Sequence, residues 1–343
     1  MIVHQVLSGA GPVDAVTSQA LAWRERFGAW GWGGRDVAAH IDPRMNGTVA
    51  PLRALHPAPG DVLLIHYSAY APKLRALLDL PNRKALLSHN VTPARWLWDH
   101  EPTVAIHCAL GRRQLPEFAA RVDAVAGVSA YNAAEAGGEA VVPVLFDAER
   151  WGPRGAGAPD GPPTLLFVGR LAPHKRQDEL IRLLALLGRH RLPEARLVLV
   201  GEPLNERYLA ALRGLAGELA PGAVTFERSL DAGALAQRYR EAAVFVSLSE
   251  HEGFCIPLLE AFHFGVPVVA RPSGAVPEVA GDAALLAGDR DLAVLAELVA
   301  LAVEEDDLRA QLRERGTERL DAYAPAAAEA AMRRFLETTA RSM

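Results

Sequence analysis

Short apolar runs alternate along the chain with longer segments of helical periodicity. The runs are rich in Val and Leu and are bounded by Gly, Pro, Ser or His, which is typical of parallel strands buried on both faces. The predicted strands cover residues 3–7, 61–66, 84–88, 124–128, 140–144, 164–168, 196–200, 224–227, 244–248 and 266–270. Because strands alternate with helices, the pattern predicts an α/β protein with doubly wound sheets.

The alternating pattern runs twice, and a segment rich in Gly and Pro separates the two copies. This segment, WGPRGAGAPDGPP at residues 151–163, cannot form a regular element. We predict an N-terminal Rossmann-like domain over 1–150, a hinge linker over 151–163 and a second Rossmann-like domain over 164–324. A C-terminal helix follows over 325–343, with packing back on the first domain as one option. Two such domains facing each other across a hinge would enclose a ligand cleft.

Composition and charge exclude several classes of function. Half of the 343 residues are hydrophobic, 22% are charged and the formal net charge is -5. A full core is therefore expected, while nucleic-acid binding is not, because it needs a basic excess. Cys108 and Cys255 are the only cysteines, which favours a reducing cytoplasm over a disulfide framework. The N-terminus, MIVHQVLSGAG, lacks the features of a signal peptide, and no apolar run is long enough to span a bilayer.

The first candidate for chemistry is the loop SGAGPVDA at residues 8–15, between the first predicted strand and a helical pattern over 16–26. Gly9 and Gly11 would let backbone N–H groups approach a phosphate or a sugar at the start of the helix. The loop is not the dinucleotide fingerprint, because Asp14 occupies the position of the third glycine. The alternative is a tight turn in which Asp14 is the helix N-cap.

A second candidate is FVGRLAPHKRQDELI, at residues 167–181. The predicted strand ends at Gly169, and Arg170 and Lys175 flank the turn into a helix. Two cations at this position could bind a diphosphate through charge-assisted hydrogen bonds. The alternative is a pair of ordinary surface cations.

A third candidate is SEHEGFCIPLLEAFHFGVPVVA, at residues 249–270. The predicted strand runs out into residues 249–252, and a helix is predicted to begin between Phe254 and Pro257, where Pro suits a first turn. The backbone N–H groups of Gly253, Phe254 and Cys255 would then be available to an anion or a hydroxyl group.

Two carboxylates, Glu252 and Glu260, belong to this third segment and stand eight positions apart. At about 1.5 Å per helical residue, eight positions cover at most about 12 Å, roughly a nucleoside, a diphosphate and a sugar laid along the helix end. One carboxylate could bind ribose hydroxyls while the other binds the sugar. The alternative is that Glu260 is a satisfied buried acid and Glu252 a charge at the helix start.

These segments resemble the retaining GT-B glycosyltransferases of glycosyltransferase family 4, the bacterial group 1 glycosyltransferases. The most specific likeness is Glu252-x7-Glu260 within EGFCIPLLEAF, followed by GVPVVA and accompanied by GRLAPHK. In the first half, DVLLIHYSAY, ALLSHNVTPARWL and VSAYNAAE look like acceptor-domain segments of bacterial members. The resemblance covers nearly the whole chain and implies the GT-B fold, two Rossmann-like domains facing across a cleft.

The resemblance implies a nucleotide diphosphate sugar as donor substrate, held mainly by the second domain, with no metal and no cofactor. Arg170 and Lys175 match the cations on the diphosphate, and Glu260 matches the ribose-binding acid. Glu252 matches a contact to the transferred sugar, and His89 matches the active-site histidine near the anomeric centre. The expected donor site comprises Gly9, Gly11, Gly169, Arg170, Lys175, Arg228, Gly253, Phe254, Cys255, Ile256 and Glu260, and the expected catalytic residues are His89, Arg170, Lys175 and Glu252.

Two positions depart from the family pattern. Cys255 stands where many relatives have Gly, so the loop is expected to be less open. Arg228, in FERSL, stands where relatives often carry Gly, near the nucleotide base. The preference for a particular base therefore stays open.

Together these features predict a retaining, metal-independent hexosyltransferase. It would move a sugar to a hydroxyl of a carbohydrate, lipid-linked or small-molecule acceptor in polysaccharide, cell-envelope or glycoconjugate biosynthesis. The alternatives are a nucleotide-sugar epimerase on the same fold and a non-catalytic partner subunit that binds sugar nucleotides. Trp96, Trp98 and the nearby Arg95, Arg112 and Arg113 form either an acceptor or membrane-facing surface, at the inner face of the membrane, or an ordinary surface. No feature predicts the oligomeric state.

Overall fold

The computed structural model describes residues 1–153, 161–288 and 291–341. The chain divides into two compact units. The first comprises Met1–Arg95, Pro102–Leu145 and Tyr323–Met343, and the second comprises Trp96–Glu101 and Phe146–Ala322. Residues 154–160 of the predicted linker lie outside the described residues. The short segment Trp96–Glu101, which the first unit encloses in sequence, joins the second unit, and no local pattern indicated this.

The first unit is built on a sheet of seven described strands in the order β3-β2-β1-β4-β5-β6-β7. Every ladder in it is parallel. The strands are β1 Val3–Leu7, β2 Asp36–Ala38, β3 Ala50–Pro51, β4 Val62–Tyr67, β5 Arg83–Ser88, β6 Ala124–Gly127 and β7 Ala140–Val141.

The second unit is built on a sheet of six described strands in the order β10-β9-β8-β11-β12-β13. These ladders are parallel as well. The strands are β8 Thr164–Val168, β9 Arg196–Val200, β10 Val224–Glu227, β11 Val244–Ser247, β12 Val268–Ala270 and β13 Leu285–Leu286.

Helices connect the strands of each sheet. They are α1 Ala15–Ala29, α2 Pro102–Ala119, α3 Ala130–Glu135, α4 Gln177–His190, α5 Glu206–Leu219, α6 Ala232–Glu241, α7 Ile256–His263, α8 Val276–Ala280, α9 Leu292–Glu304, α10 Asp306–Asp321 and α11 Pro325–Arg341. The C-terminal helix α11 packs against β4, β5 and β6 of the first unit. The fold class, two α/β units with parallel sheets, is therefore confirmed.

The central strands form the core of each unit. All six side chains of β4 are buried, because the strand lies between β1 and β5 and under helices. In the second unit, Leu165 and Phe167 of β8 pack in one apolar cluster with Leu184 of α4 and Val299 of α9. Burial of each such side chain contributes about 1.5–3 kcal/mol. The sequence pattern predicted the bounds of β8 without error and placed those of β4 one residue too early.

Where predicted strands are too long, proline is the reason in two cases. Residues 140–144 were predicted as one strand, but β7 ends at Val141 because Pro143 has no N–H to donate. Residues 266–270 were predicted likewise, but β12 begins at Val268, after Pro267. The strands β2, β3 and β13 were not predicted at all. Each has two or three residues, which is too short for a periodic pattern.

Each sheet has one place where the strand order reverses. In the first unit it lies between β1 and β4, and in the second between β8 and β11. In doubly wound sheets, ligands bind at the carboxyl ends of the strands at this switch point, because the connections there leave to opposite faces. The candidate segments that follow β1, β8 and β11 are thus all placed at switch points.

Candidate functional site

The turn after β8 carries two of the predicted cations. Gly169 directly follows β8, and its carbonyl oxygen lies 2.1 Å from where a Cβ on Gly201 would stand. Gly201, which follows β9, has a φ of +150°. Glycine is therefore required there for the loops after β8 and β9 to approach each other so closely. Lys175 then ends a short helical turn, Pro173–Lys175, directly before α4.

Lys175 is brought together with Glu252, the first acid of the pair. The Lys175 Nζ lies 2.7 Å from Glu252 Oε2, and only 17% and 8% of the two side chains are exposed. The backbone of Glu252 is held as well, since its carbonyl oxygen accepts a hydrogen bond from Ala275 N at 3.0 Å. The loops after β8 and β11 therefore meet in an ion pair that is largely out of contact with water.

Arg170, the other predicted cation, lies in the same turn but is exposed. Its carbonyl oxygen accepts a hydrogen bond from Gln177 Nε2 at 3.1 Å. Within the described part of the chain, its guanidinium takes part in no ion pair. The Arg170 side chain is thus available to a ligand, whereas that of Lys175 already has one acidic partner.

The helix α7 begins at Ile256, within the range predicted from the sequence. Its N-cap, Cys255, has φ +72° and ψ 63°, a left-handed conformation that costs a non-glycine residue on the order of 1 kcal/mol or more. This conformation gives a physical reason for the Gly that the resembled family often has there. Burial raises the pKa of the Cys255 thiol, so the thiol is an inert core group rather than a nucleophile.

Glu260, the second acid, is the fifth residue of α7 and is buried. Its Oε2 accepts a hydrogen bond from the Tyr239 hydroxyl at 2.5 Å, and Tyr239 is the one side-chain donor that the described residues supply to this carboxylate. Burial raises the pKa of Glu260 to about 7, and the hydrogen bond from Tyr239 opposes part of this rise. Near neutral pH the group is therefore a mixture of acid and carboxylate.

A buried arginine that the sequence analysis missed ties these loops together. Arg271, which follows β12, donates to Leu248 O at 2.7 Å, to Glu250 at 3.3 Å and to Glu179 at 2.8 Å. Because these partners follow β11 and belong to α4, the network fixes the loops that carry Glu252 and Lys175. The available signal was a charged residue at the end of an otherwise apolar strand.

Arg228 follows β10 and is exposed. It pairs with the exposed Glu206 of α5 at 2.5 Å. No described contact joins it to Lys175, Glu252 or Glu260. Its predicted place near a nucleotide base stays a prediction.

The glycine loop of the first unit follows β1. Asp14 caps α1 by accepting hydrogen bonds from Thr17 N at 2.8 Å and from Thr17 Oγ1 at 2.6 Å, so the N-cap interpretation is confirmed. Neither Gly9 nor Gly11 has a positive φ. A Cβ would meet no atom closer than 3.9 Å at Gly9 and 3.8 Å at Gly11. The fold therefore does not require these glycines.

His89 directly follows β5 and is partly exposed. Its Nε2 lies 2.9 Å from Nδ1 of His66, and His66 Nε2 lies 2.9 Å from Gln5 Oε1. Desolvation lowers the pKa of His89 to about 3 and that of His66 well below its usual range. Both imidazoles are therefore neutral at physiological pH. The sequence analysis named His89 and missed Gln5 and His66, although polar residues inside buried strands were a signal.

The described residues include neither a candidate metal site nor a candidate membrane-spanning helix. No group of three or more His, Cys, Asp or Glu side chains there could hold a metal ion. No helix among the same residues is long and apolar enough to cross a membrane.

The second half of the chain matches a known protein family. Residues 153–319 match the family model described as "Glycosyl transferases group 1". A GDP-mannose-dependent alpha-mannosyltransferase of Mycolicibacterium smegmatis is 40% identical over 117 residues, which cover 34% of this chain and 28% of the relative. A D-inositol 3-phosphate glycosyltransferase of Actinosynnema mirum is 38% identical over 167 residues, covering 44% and 40%. The matched segments thus span less than half of these relatives.

Solved structures match over almost the whole chain. Sucrose-phosphate synthase from Thermosynechococcus elongatus superimposes with a TM-score of 0.76 at 17% identity, covering 98% of both chains. Anabaena HepE in complex with UDP and glucose gives a TM-score of 0.75 at 15% identity, covering 98% of this chain and 100% of HepE. Residues 153–319 therefore match the group 1 glycosyl transferases, and the two units have the fold of GT-B glycosyltransferases.

Proposed function

We propose that the protein is a retaining glycosyltransferase that needs no metal and moves a hexosyl group from a nucleotide diphosphate sugar to a hydroxyl acceptor. The observation that carries this proposal is the placement of Lys175, Glu252 and Glu260 in the loops and helix after β8 and β11. These strands flank the switch point of the second sheet, where a doubly wound fold binds its ligand.

The cations of the turn after β8 would bind the diphosphate. An ammonium group has three donors, so Lys175 can keep Glu252 as one partner and offer the others to phosphate oxygens. Arg170, exposed and outside any described ion pair, would supply a second cation. Both groups would stabilise the negative charge that builds on the departing diphosphate, which lowers the barrier to transfer.

The buried acid of α7 would bind the ribose. Tyr239 occupies one oxygen of Glu260, which leaves the other oxygen for a ribose hydroxyl. Such a hydroxyl donates more strongly to the ionised carboxylate than to the protonated acid, so binding would favour the charged form of Glu260. The protein can thus recognise the sugar of the nucleotide without a metal ion.

The donor is proposed from the relatives. The Mycolicibacterium relative is named for its dependence on GDP-mannose, and the Anabaena structure contains UDP and glucose. GDP-mannose is therefore the first donor to test and UDP-glucose the second. Retention and membership of glycosyltransferase family 4 are proposed from the sequence resemblance. A cytoplasmic location is proposed from the two cysteines, and a peripheral contact with the inner face of the membrane from the basic and aromatic residues between Arg95 and Arg113.

The test uses slow hydrolysis of the donor, because no acceptor is needed for it. The purified full chain is incubated with GDP-mannose or UDP-glucose in EDTA, and the first anomer released is read by ¹H NMR before mutarotation. We expect the α-anomer from one of the two donors, and expect Glu252→Gln to lose this activity while Glu318→Gln, an exposed acid of α10, keeps it. Release of the β-anomer would overturn retention, and unchanged activity in Glu252→Gln would overturn the site.

A further inference from the structure

A row of hydrogen bonds crosses the first sheet and ends at His89. It begins at Arg24 of α1, which donates from Nε and Nη2 to Asp36 Oδ1 at 2.9 and 2.7 Å. Gln5 Nε2 donates to the same oxygen at 2.9 Å. The row continues through His66 to His89. Asp36, Gln5 and His66 lie on β2, β1 and β4, which are consecutive neighbours in the sheet, and His89 follows β5.

The orientation of the Gln5 amide is determined by its partners. Its nitrogen lies 2.7 Å from Ala20 O and 2.9 Å from Asp36 Oδ1, and a carbonyl and a carboxylate oxygen only accept hydrogen bonds. The NH₂ group must therefore face these two oxygens. The opposite orientation would replace both bonds by contacts between acceptors, which is unfavourable in a buried site.

This orientation fixes the proton on each imidazole in turn. Gln5 Oε1 faces His66, so His66 Nε2 carries the proton and donates it. In the neutral ring Nδ1 of His66 is then an acceptor, so Nε2 of His89 must donate to it. By the same rule Nδ1 of His89 carries no proton and presents a lone pair.

We propose that the row from Arg24 to His66 holds His89 in the neutral tautomer with its proton on Nε2, so that Nδ1 accepts a hydrogen bond from a hydroxyl group of the substrate. The role toward substrate rests on the proposed function. Gln5 and His66 are positioning residues in this scheme, because they act through His89. A hydroxyl group fits the site, while a carboxylate or phosphate oxygen, which has no proton to donate, is rejected.

The low pKa of His89 agrees with this assignment, since a protonated ring would lose the acceptor. The charged groups within the row are Arg24 of α1 and Asp36 of β2. Arg24 adds to the lowering of the pKa of His66. Protonation of His66 would place its Nδ1 donor against the Nε2 donor of His89, whereas protonation of His89 would leave the row intact and remove the Nδ1 acceptor.

The tautomer is measured directly by long-range ¹H–¹⁵N NMR of the full chain labelled at histidine. The signals of the two rings are assigned from the spectra of His66→Gln and His89→Gln. We expect both rings to be neutral with the proton on Nε2 between pH 5 and 8. A proton on Nδ1, or a charged ring, at His89 would overturn the assignment.

A variant pair tests the role of the amide. Gln5→Met keeps the size of the side chain and removes its donor and acceptor, and we expect His66 and His89 to become tautomer mixtures. The control is Gln19→Met, because Gln19 is a glutamine of the same unit whose amide, among the described residues, bonds to the backbone of Leu145 and not to the row. If Gln5→Met folds and leaves both tautomers unchanged, the row does not position His89. If Gln5→Met fails to fold, the wild-type spectrum still decides the tautomer.

The contact with substrate is tested by adding GDP-mannose or UDP-glucose to the labelled protein. We expect the ¹⁵N signal of His89 Nδ1 to shift as it accepts a hydrogen bond, while Nε2 keeps its proton. A bound donor that leaves this signal unmoved would overturn the substrate role alone. If neither donor binds, the proposed function is contradicted instead. The tautomer of His89 is then still decided by the spectrum of the free protein.

Discussion

The ammonium group of Lys175 and the carboxylate of Glu252 lie 2.7 Å apart, although they come from loops after two different strands, and both are largely buried. Each charge neutralises the other in the absence of substrate. A diphosphate that reaches Lys175 therefore adds a second anion to a cation that already has one.

Breaking this pair should cost stability as well as binding. Lys175→Met leaves Glu252 buried without a partner, so we expect the free energy of unfolding to fall by about 3 kcal/mol at pH 7. The double variant Lys175→Met/Glu252→Gln should recover most of that loss, because no uncompensated charge remains. Urea unfolding of the variants measures this. Lys73→Met, at an exposed lysine of the first unit, serves as the control, and an equal loss in the single and double variants would contradict the account.

Glu260 should make stability depend on pH in a direction that is unusual for an acid. Its pKa in the folded protein, about 7, lies above the ordinary value of 4.5, so the native state binds the proton more tightly than the unfolded state does. The stabilisation from the protonated form is complete below about pH 4.5 and is lost as the pH rises to about 7, by up to about 3 kcal/mol. In Glu260→Gln this loss should be absent. Urea unfolding at pH 5 and pH 8 compares the two proteins, and equal pH dependence would show that Glu260 is ionised throughout.

Nucleotide affinity should follow the opposite trend with pH. A ribose hydroxyl donates to the carboxylate form of Glu260, so affinity should rise as the pH increases through about 7. Tyr239→Phe removes the hydrogen bond that lowers this pKa, so the midpoint of the rise should move to higher pH. Titration calorimetry from pH 6 to 8.5 measures both curves. An unchanged midpoint in Tyr239→Phe would show that the pH dependence of nucleotide affinity does not come from Glu260.

The glycine loop after β1 should tolerate alanine as far as folding is concerned. Gly9→Ala and Gly11→Ala should each change the free energy of unfolding by less than about 1 kcal/mol, because neither position has a positive φ or a close neighbour. Gly34→Ala is the contrasting variant, since φ is +137° and a Cβ would lie 1.9 Å from Val3 O. We expect it to destabilise the fold by several kcal/mol. Normal folding with reduced donor turnover in Gly11→Ala would support a role in substrate binding.

An element of the fold could be predicted only where its own residues carry a pattern. Buried strands such as Thr164–Val168 carry their own signal, because burial on both faces favours a run of apolar residues. The two-residue strands β3 and β13 carry none, since their pairing depends on neighbours already in place. Candidate residues at strand ends were found because sheet topology brings the carboxyl ends of parallel strands to one edge.

Partnerships between side chains could not be predicted in the same way. The pairing of Lys175 with Glu252, and the contacts of Arg271 with Glu179 and Glu250, depend on the order of strands in the sheet. Single-sequence patterns do not contain that order. The row through Gln5 and His66 has the same origin, because each strand contributes one polar residue and no local motif marks it.

The most direct test of the central claim is titration of the purified chain with GDP and UDP in EDTA, followed by calorimetry. We predict that one nucleotide binds without metal and that Lys175→Ala weakens its binding at least 100-fold, about 2.7 kcal/mol, while Lys73→Ala leaves it unchanged. Binding of neither nucleotide, or equal affinity in Lys175→Ala and the wild type, would contradict a diphosphate site at the carboxyl ends of β8 and β11.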